Sequence, residues 1–413
     1  MGPLEGIRVI ELASWVAVPT AGAILGDWGA SVVKVENIKG GDPARGFRRA
    51  ENIEVTDVSF WWELSNRNKK SIAMDINKEE GRSILRKLVE HSDVFLTNMG
   101  LDSLKRRKLD YESLKRLNPK IIYASFTGYG EVGPDKDKPG FDITAFWTKG
   151  GFMYRLGEPG RTPPIQPIAP GDQISSMYIA GAVSTALFAR EKTGRGQKVS
   201  LSLYQNAVWS LGWEVQAALS TGNEVRWRYQ NKVLNPLWNI YKTKDGRWIQ
   251  LAFLQSDQYW DSFCVAIGKE ELKEDPRFKS HQKREENNEA LIGLITETFS
   301  KKTLEEWERT LNQYKMPYES ARSIKEIVND PQAIENDFFH EVEHLTSKHL
   351  KLVNSPVKFS ETPAEIRRTA PELGQHTEEI LLDLNYSWED ISELREQAVI
   401  SSCDLRDQRE NDD

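Results

Sequence analysis

The sequence predicts an α/β protein: a parallel sheet in the first half, with a smaller domain of mixed α and β type behind it. Three observations carry this. Residues 7–12 and 31–36 read as strands around a short apolar helix at 19–27, which is a βαβ unit. The alternation repeats, with further strands at 71–75, 93–97 and 121–125. From about residue 225 that rhythm stops, and Asp245-Gly246 stands between two alternating apolar runs as a hairpin signal.

Each element has a local reason. Asn77 with Glu80 three residues on predicts a capping box, and Ile84, Leu85, Leu88 and Val89 then share one helix face. A second helix is expected at 110–117. Residues 173–191 predict a long central helix, because Ala180, Gly181, Ala182, Ser184, Thr185 and Ala186 let other backbones approach closely. Residues 199–203 fit either a strand or a helix start. The hairpin arms are 238–244 and 247–253, followed by helices at 256–267, stopped by Gly268, and at 288–299. Thr303 with Glu306 caps a third. After about residue 330 the chain reads as helix and loop, and the polar tail 401–413 as disordered.

Composition narrows the function. The chain has 413 residues and a net charge of −7, with 39% apolar residues, so a folded core is expected and nucleic acid or an anionic membrane is not an expected partner. No run of about 18 apolar residues predicts a membrane span, and no signal peptide is read at the first residues. The two cysteines, Cys264 and Cys403, form no CxxC, so neither a disulfide framework nor a thiolate metal site is expected, and the cytoplasm is the expected compartment.

The turn after the first strand, Ala13-Ser14-Trp15-Val16, lacks GxGxxG, and no GxxxxGK[ST] occurs, which argues against an ordinary dinucleotide enzyme and a P-loop enzyme. Gly128, Gly130 and Gly133 follow a strand but lead into Pro134 and a charged run instead of a helix. His340 and His344 have helical spacing and read as a solvated helix face. Lys105-Arg106-Arg107-Lys108 follows a strand end, where a phosphate site and a solvated patch are both open readings. Trp147, Trp209, Trp213, Trp227 and Trp238 are core or an acyl pocket. Asp172, in Pro170-Gly171-Asp172 at the start of the small-residue helix, is a cap or a nucleophilic carboxylate.

At these residues the sequence resembles the family III CoA-transferases, over about residues 4–400. The likeness rests on Gly6 to Leu12, Leu25 to Glu36, Asn68-Lys69-Lys70-Ser71-Ile72, Arg190 to Val199, Gly374-Gln375-His376-Thr377 and Gly171-Asp172. It implies a large Rossmann-like domain from both chain ends, with residues 1–220 and 330–400 enclosing a small inserted domain at 225–325. It also implies an interlocked dimer, of two copies or with a related subunit. In the family's chemistry Asp172 forms an anhydride with the acyl group and then an aspartyl-CoA thioester. A CoA thioester is the substrate, with no permanently bound cofactor and no metal. Matched position by position, CoA contacts fall on Val16, Met74, Asn98, Met99 and Arg106, with Lys138 or a neighbour at the pyrophosphate. Asp142 matches the acidic neighbour of the nucleophile.

There are departures. Oxalate-type members carry Gln where Val16 stands, and their glycine-rich lid is replaced here by Asn235-Pro236-Leu237-Trp238. The pattern is similar to the branch of anaerobic metabolism that handles 2-hydroxy acids and arylacrylic acids, and benzylsuccinate-like diacids stay open. Two other readings stand beside this one. An α-methylacyl-CoA racemase needs a proton-carrying His where Phe141 stands. A supporting subunit of a hetero-oligomeric transferase needs no nucleophile, whereas Asp172 is present.

Overall fold

The computed structural model describes residues 1–47, 58–225, 227–344 and 347–402. The chain forms two compact units. The large one holds residues 1–157, 161–221 and the described residues from 334 on; the small one holds 158–160 and the described part of 222–333.

The large unit is built on β1 (Arg8–Leu12), β2 (Ser31–Glu36), β3 (Lys69–Met74), β4 (Val94–Thr97), β5 (Ile122–Thr127) and β6 (Lys198–Ser202). They lie in the order β3-β2-β1-β4-β5-β6 and are all parallel. Strand order reverses between β1 and β4, the switch point of a doubly wound sheet. Residue alternation sends Val9, Leu96 and Ile122 to one face and Ile10, Phe95 and Tyr123 to the other, and a separate apolar core forms on each. Before the return segment its helices are α1 (Ala17–Asp27), α2 (Phe60–Asn66), α3 (Glu79–Glu90), α4 (Leu101–Arg106), α5 (Tyr111–Leu117), α6 (Phe152–Leu156), α7 (Pro170–Thr193), α8 (Leu203–Ser210) and α9 (Gly212–Thr221), and the return segment adds helices at Thr377–Asp383 and Trp388–Glu396. Every residue of α1 is buried, and α1 packs along α7.

Three local expectations are overturned. Asn77 does not cap α3: its backbone N–H bonds Asp75 and its side-chain oxygen accepts from Arg107, so Lys78 takes the cap position without a side-chain bond. Residues beyond 330 are not only helix and loop. Phe339–His344 and Lys348–Val353 pair antiparallel, with Phe339 opposite Val353 and Val342 opposite Leu350. His340 and His344 therefore lie on a strand, two strand repeats apart on one face. The ordered chain also passes residue 400, because Ile400–Ser401 adds an antiparallel strand to β3. The remainder of the polar tail, Cys403 included, lies outside the described residues. The ambiguity at 199–203 resolves as β6 running directly into α8.

The return segment is tied to the sheet by the sequence motifs themselves. The Asn68 side chain donates to Asp27 and to the Glu365 carbonyl and accepts from the N–H groups of Arg367 and Arg368. Thr377 donates to the Ser401 carbonyl and accepts from Ala73 N–H, while His376 accepts from Ser71 N–H. Arg190 reaches Asp93 at 2.9 Å. These residues hold the fold.

In the small unit β7 (Ile240–Lys242), β8 (Trp248–Leu251) and β9 (Tyr318–Ser320) form an antiparallel sheet turned at Asp245-Gly246, with Gly246 at φ +80°. Thr303 and Glu306 form the capping box, and Trp307 stacks on Phe299 in its core.

Candidate active site

At the switch point the turn after β1 stands where a glycine-rich loop would sit, and side chains from three directions fix it. Asn98, just past β4, donates to the Ser14 carbonyl at 2.7 Å and accepts from Ser14 N–H at 3.1 Å. Trp15 adopts φ +72°, a strained region for a non-glycine residue, and its N–H donates to Asp42. Lys34 donates to the Ala13 carbonyl from below. Beside this turn is a cavity of about 180 Å³ lined by Leu12, Ala13, Ser14, Glu36, Met74 and Met99, among others.

Lys34 belongs to a buried ladder of charge. Glu11 on β1 bridges Lys34 of β2 at 2.9 Å and Lys69 of β3 at 2.7 Å, and Lys34 also pairs with Asp42 at 2.9 Å. All four side chains are shut off from water. Burial alone would lower Lys34, but the Glu11 and Asp42 carboxylates hold it above its ordinary value. For Lys69 burial wins over Glu11 and brings the ammonium down to about 8. Gly22 on α1 makes room for the ladder, since a Cβ there would stand 2.0 Å from a Glu11 oxygen.

A second cluster forms at the amino end of α7. Ala169, at φ +49°, turns the chain into Pro170-Gly171-Asp172. Asp142 opens a π-helical segment, Asp142–Thr148, and its carboxylate accepts from Asp172 N–H at 2.9 Å and from the Gln166 side-chain amide. Gly128 and Gly140 place this segment: each Cα fills the space where the other's Cβ would go, at 2.6 and 2.5 Å. That close approach is the role of Gly128, instead of a dinucleotide turn. Burial and then the neighbouring Asp142 charge push the Asp172 carboxyl up to about 7. Burial also raises Asp142, against the hydrogen bonds it accepts.

Gly171 has no room for a side chain. A Cβ there would sit 2.3 Å from Phe146 Cγ and 2.7 Å from Asp142 Oδ1. Gly171→Ala is therefore expected to displace the Asp142 carboxylate and to lower stability by about 1–3 kcal/mol, as overpacking does. Transfer should fall at least about tenfold with the circular dichroism spectrum unchanged. A fully active variant would show that the contact does not matter.

The structure brings some of the sequence-matched residues together and leaves others apart. Met74 and Met99 line the cavity at the switch point, Asn98 pins its wall, and Val16 is buried at the start of α1. Asp142 and Asp172 meet at α7. Arg106, exposed in the last turn of α4, and Lys138, whose ammonium lies 5.4 Å from the Tyr129 ring, are not among the cavity residues. The tryptophans do not share one wall: Trp147 is buried, Trp209 and Trp213 are exposed on α8 and α9, and Trp227 and Trp238 belong to the small unit. Sequence reasoning missed Gln166, Lys34, Glu11 and Asp42. Glu11 and Lys34 had a signal, since charge inside apolar parallel strands demands a partner; Asp42, in the loop after β2, had none. Among the described residues no helix is long and apolar enough to cross a membrane.

The model of CoA-transferase family III matches residues 4–377. The chain belongs to this family. As a family III CoA-transferase it is an enzyme of the EC 2.8.3 type, acting on CoA thioesters. It is similar to an (R)-2-hydroxy-4-methylpentanoate CoA-transferase of Clostridioides difficile, 35% identical over 397 residues that cover 96% of this chain and 99% of the other. A cinnamoyl-CoA:phenyllactate CoA-transferase of Clostridium sporogenes is 34% identical, with 96% and 97% covered. A CAIB/BAIF family protein from Brucella suis has the same fold, with a TM-score of 0.81 at 28% identity over 93% of this chain and 99% of that one. Both transferases fit the branch that the sequence pattern pointed to.

Proposed function

We propose that this family III CoA-transferase moves CoA from an acyl-CoA donor to a free apolar or 2-hydroxy carboxylic acid, with Asp172 as the covalent carrier. The observation that carries this reading is the placement of Asp172. Asp172 is half-buried at the amino end of α7 beside a second carboxylate, and that partial loss of water together with the neighbouring charge raises its affinity for a carbon electrophile as it does for a proton. The Asp172 carboxylate attacks the thioester carbonyl, and CoA leaves as thiolate, giving a mixed anhydride. The thiolate then attacks the Asp172 carbonyl, releasing the first acid and leaving aspartyl-CoA. The acceptor carboxylate repeats these steps in reverse order.

Three features support the substrate class. Phe141 and Ile143 flank Asp142, Ile165 flanks Gln166, and Ile168 and Ile174 flank the Asp172 turn; all five side chains are exposed. Such a rim suits the hydrocarbon part of an acid and keeps water from the anhydride. Both similar transferases named above act on acids of this kind by their names. Phe141 carries no proton, which speaks against racemase chemistry. For CoA, the cavity lined by Met74 and Met99 lies at the carboxyl edge of the sheet, Asn98 pins the turn beside it, and Arg106 and Lys138 offer cations for phosphates. A dimer, with a second copy or a related subunit, is supported by the side of the large unit that carries β6. There β6 is an edge strand, α9 buries none of its residues, and Phe188, Trp209 and Trp213 are exposed.

The test is intact-mass analysis after incubation with a panel of acyl-CoAs, trapping with hydroxylamine and mapping the modified peptide. Modification at Asp172 is expected. Because the attacking form is ionised and its carboxyl titrates at about 7, adduct formation should fall about tenfold per pH unit below 7 and level off above it. An adduct elsewhere, or a flat profile between pH 5 and 7, would remove Asp172 from this role.

A further inference from the structure

The segment 161–168 holds an unexplained feature. It reads Arg-Thr-Pro-Pro-Ile-Gln-Pro-Ile, and every residue in it is exposed except Gln166. Three prolines stiffen it, and Pro167 restricts Gln166 itself to extended backbone. A stiff, exposed strap thus delivers a single amide inward, and that amide donates to Asp142 Oδ1. The other oxygen, Oδ2, accepts from Asp172 N–H. Asp142 lies across the amino end of a 24-residue helix, where backbone N–H groups and the helix dipole favour an anion. Both of its oxygens accept from donors, with the Gly171 backbone adding a third, and donors of this kind stabilise the ionised carboxylate.

Among the described residues, charged side chains on the elements packed against this cluster are directed to other partners. On the elements packed against this cluster, Arg155 of α6 is directed to Glu214 of α9 at 3.5 Å, and Lys149 pairs with Asp135. Neither α8 nor the π-helical segment after Asp142 carries a charged side chain. On α1 the charge is Asp27, paired with Arg67, and on α7 the next charge after Asp172 is Arg190, paired with Asp93. Arg161 stands at the far end of the strap.

We propose that Gln166 is a positioning residue: it holds Asp142 as a fixed, ionised cap on α7, and that charge beside Asp172 favours the acylated, uncharged state of Asp172 over its free carboxylate. The inference rests on the covalent reading of Asp172. Acylation removes one of two neighbouring negative charges, so the repulsion present before reaction is absent from the anhydride and from the aspartyl thioester. Neither product of attack would then need the full reaction energy of an unassisted carboxylate. Asp142 acts through its charge, and Gln166 through Asp142.

The experiment is a double-mutant cycle read by the Asp172 adduct. Gln166→Met keeps the length of the side chain and removes the donor; Asp142→Asn keeps the shape and removes the charge. Wild type, both single variants and the double variant are incubated with the best donor between pH 5 and 9, and the hydroxylamine-trapped fraction is measured. Thermal melts check that each is folded. Gln166→Met is expected to lower the trapped fraction about tenfold, the size of one pKa unit. It should also move the acid limb of adduct formation to lower pH, because Asp142 then shares the proton that Asp172 otherwise holds. In the Asp142→Asn background the same substitution should change neither quantity. Equal losses in both backgrounds, or no loss in either, would overturn the role of Gln166 while leaving the adduct in place. A wild-type protein with no adduct at Asp172 would overturn the covalent reading and this inference together. If Asp142→Asn does not fold, the pH limb of Gln166→Met alone decides: an unmoved limb overturns the proposal.

Discussion

Asp172→Ala should leave a folded protein that binds CoA thioesters and transfers nothing. Loss of a covalent nucleophile costs roughly 10⁴-fold or more in turnover, and no neighbouring carboxylate can replace it here, because both oxygens of Asp142 are held by donors. The same substitution should raise stability. Among the described residues the Asp172 carboxylate accepts no hydrogen bond, and its pKa of about 7 lies above the ordinary 3.8 because it is buried and faces Asp142. A carboxyl with a raised folded-state pKa favours folding below the unfolded value. That contribution is lost as pH rises from about 4 through about 7. The alanine variant has no such loss, so the gap in melting temperature between it and wild type should open across that window and stay constant above it. Activity assays and melts at pH 4.5, 6 and 8 test both halves. A variant that is inactive and also less stable at pH 8 would mean that the carboxylate holds the fold together.

How much of this was legible in the sequence depends on the distance between the residues that make each feature. The βαβ alternation, the Asp245-Gly246 hairpin and the Thr303–Glu306 cap are set by neighbours within a few positions, and all three stand in the structure. The Asn77 cap failed because Arg107, 30 positions on, takes its oxygen. The strand pair at 339–353 was hidden because alternating His, Glu and Lys residues look solvated in either conformation, and only cross-strand pairing decides. Within the site, Asp172 could be read directly from its place at a helix start and from the family resemblance, whereas the crowding of Gly171 comes from Phe146 and Asp142, far away in sequence. Gln166 could not. An amide in a proline-rich loop has no period and no motif, and its meaning comes from an oxygen 24 positions away. The buried ladder lies between these cases. Glu11 and Lys34 each break an apolar strand and Lys69 opens one, but which pairs with which follows from the β1-β2-β3 order.

That ladder carries the largest expected effect on stability. Glu11→Leu leaves the amines of Lys34 and Lys69 shut off from water without their shared carboxylate. Lys34 keeps Asp42, but Lys69 retains only the Pro19 carbonyl and the Asn66 side chain. Removing one partner of a buried pair costs about 3–5 kcal/mol, because an uncompensated charge stays behind. Replacing both partners with apolar residues of similar volume costs much less. The double variant Glu11→Leu/Lys69→Met is therefore expected to recover most of the loss, measured as the midpoint of urea unfolding. Equal loss in the single and double variants would mean that packing, not charge, decides at this position. The ladder also reaches the site. Lys34 supports the Ala13 carbonyl and Asp42, and Asp42 in turn holds Trp15 N–H. Losing the Glu11 carboxylate beside Lys34 loosens the turn next to the Met74–Met99 cavity. The expected signature in Glu11→Leu is a raised KM for the acyl-CoA with kcat nearly kept, the reverse of Asp172→Ala. A fall in kcat at constant KM would place the ladder behind the reacting carboxylate instead of behind the CoA-binding turn.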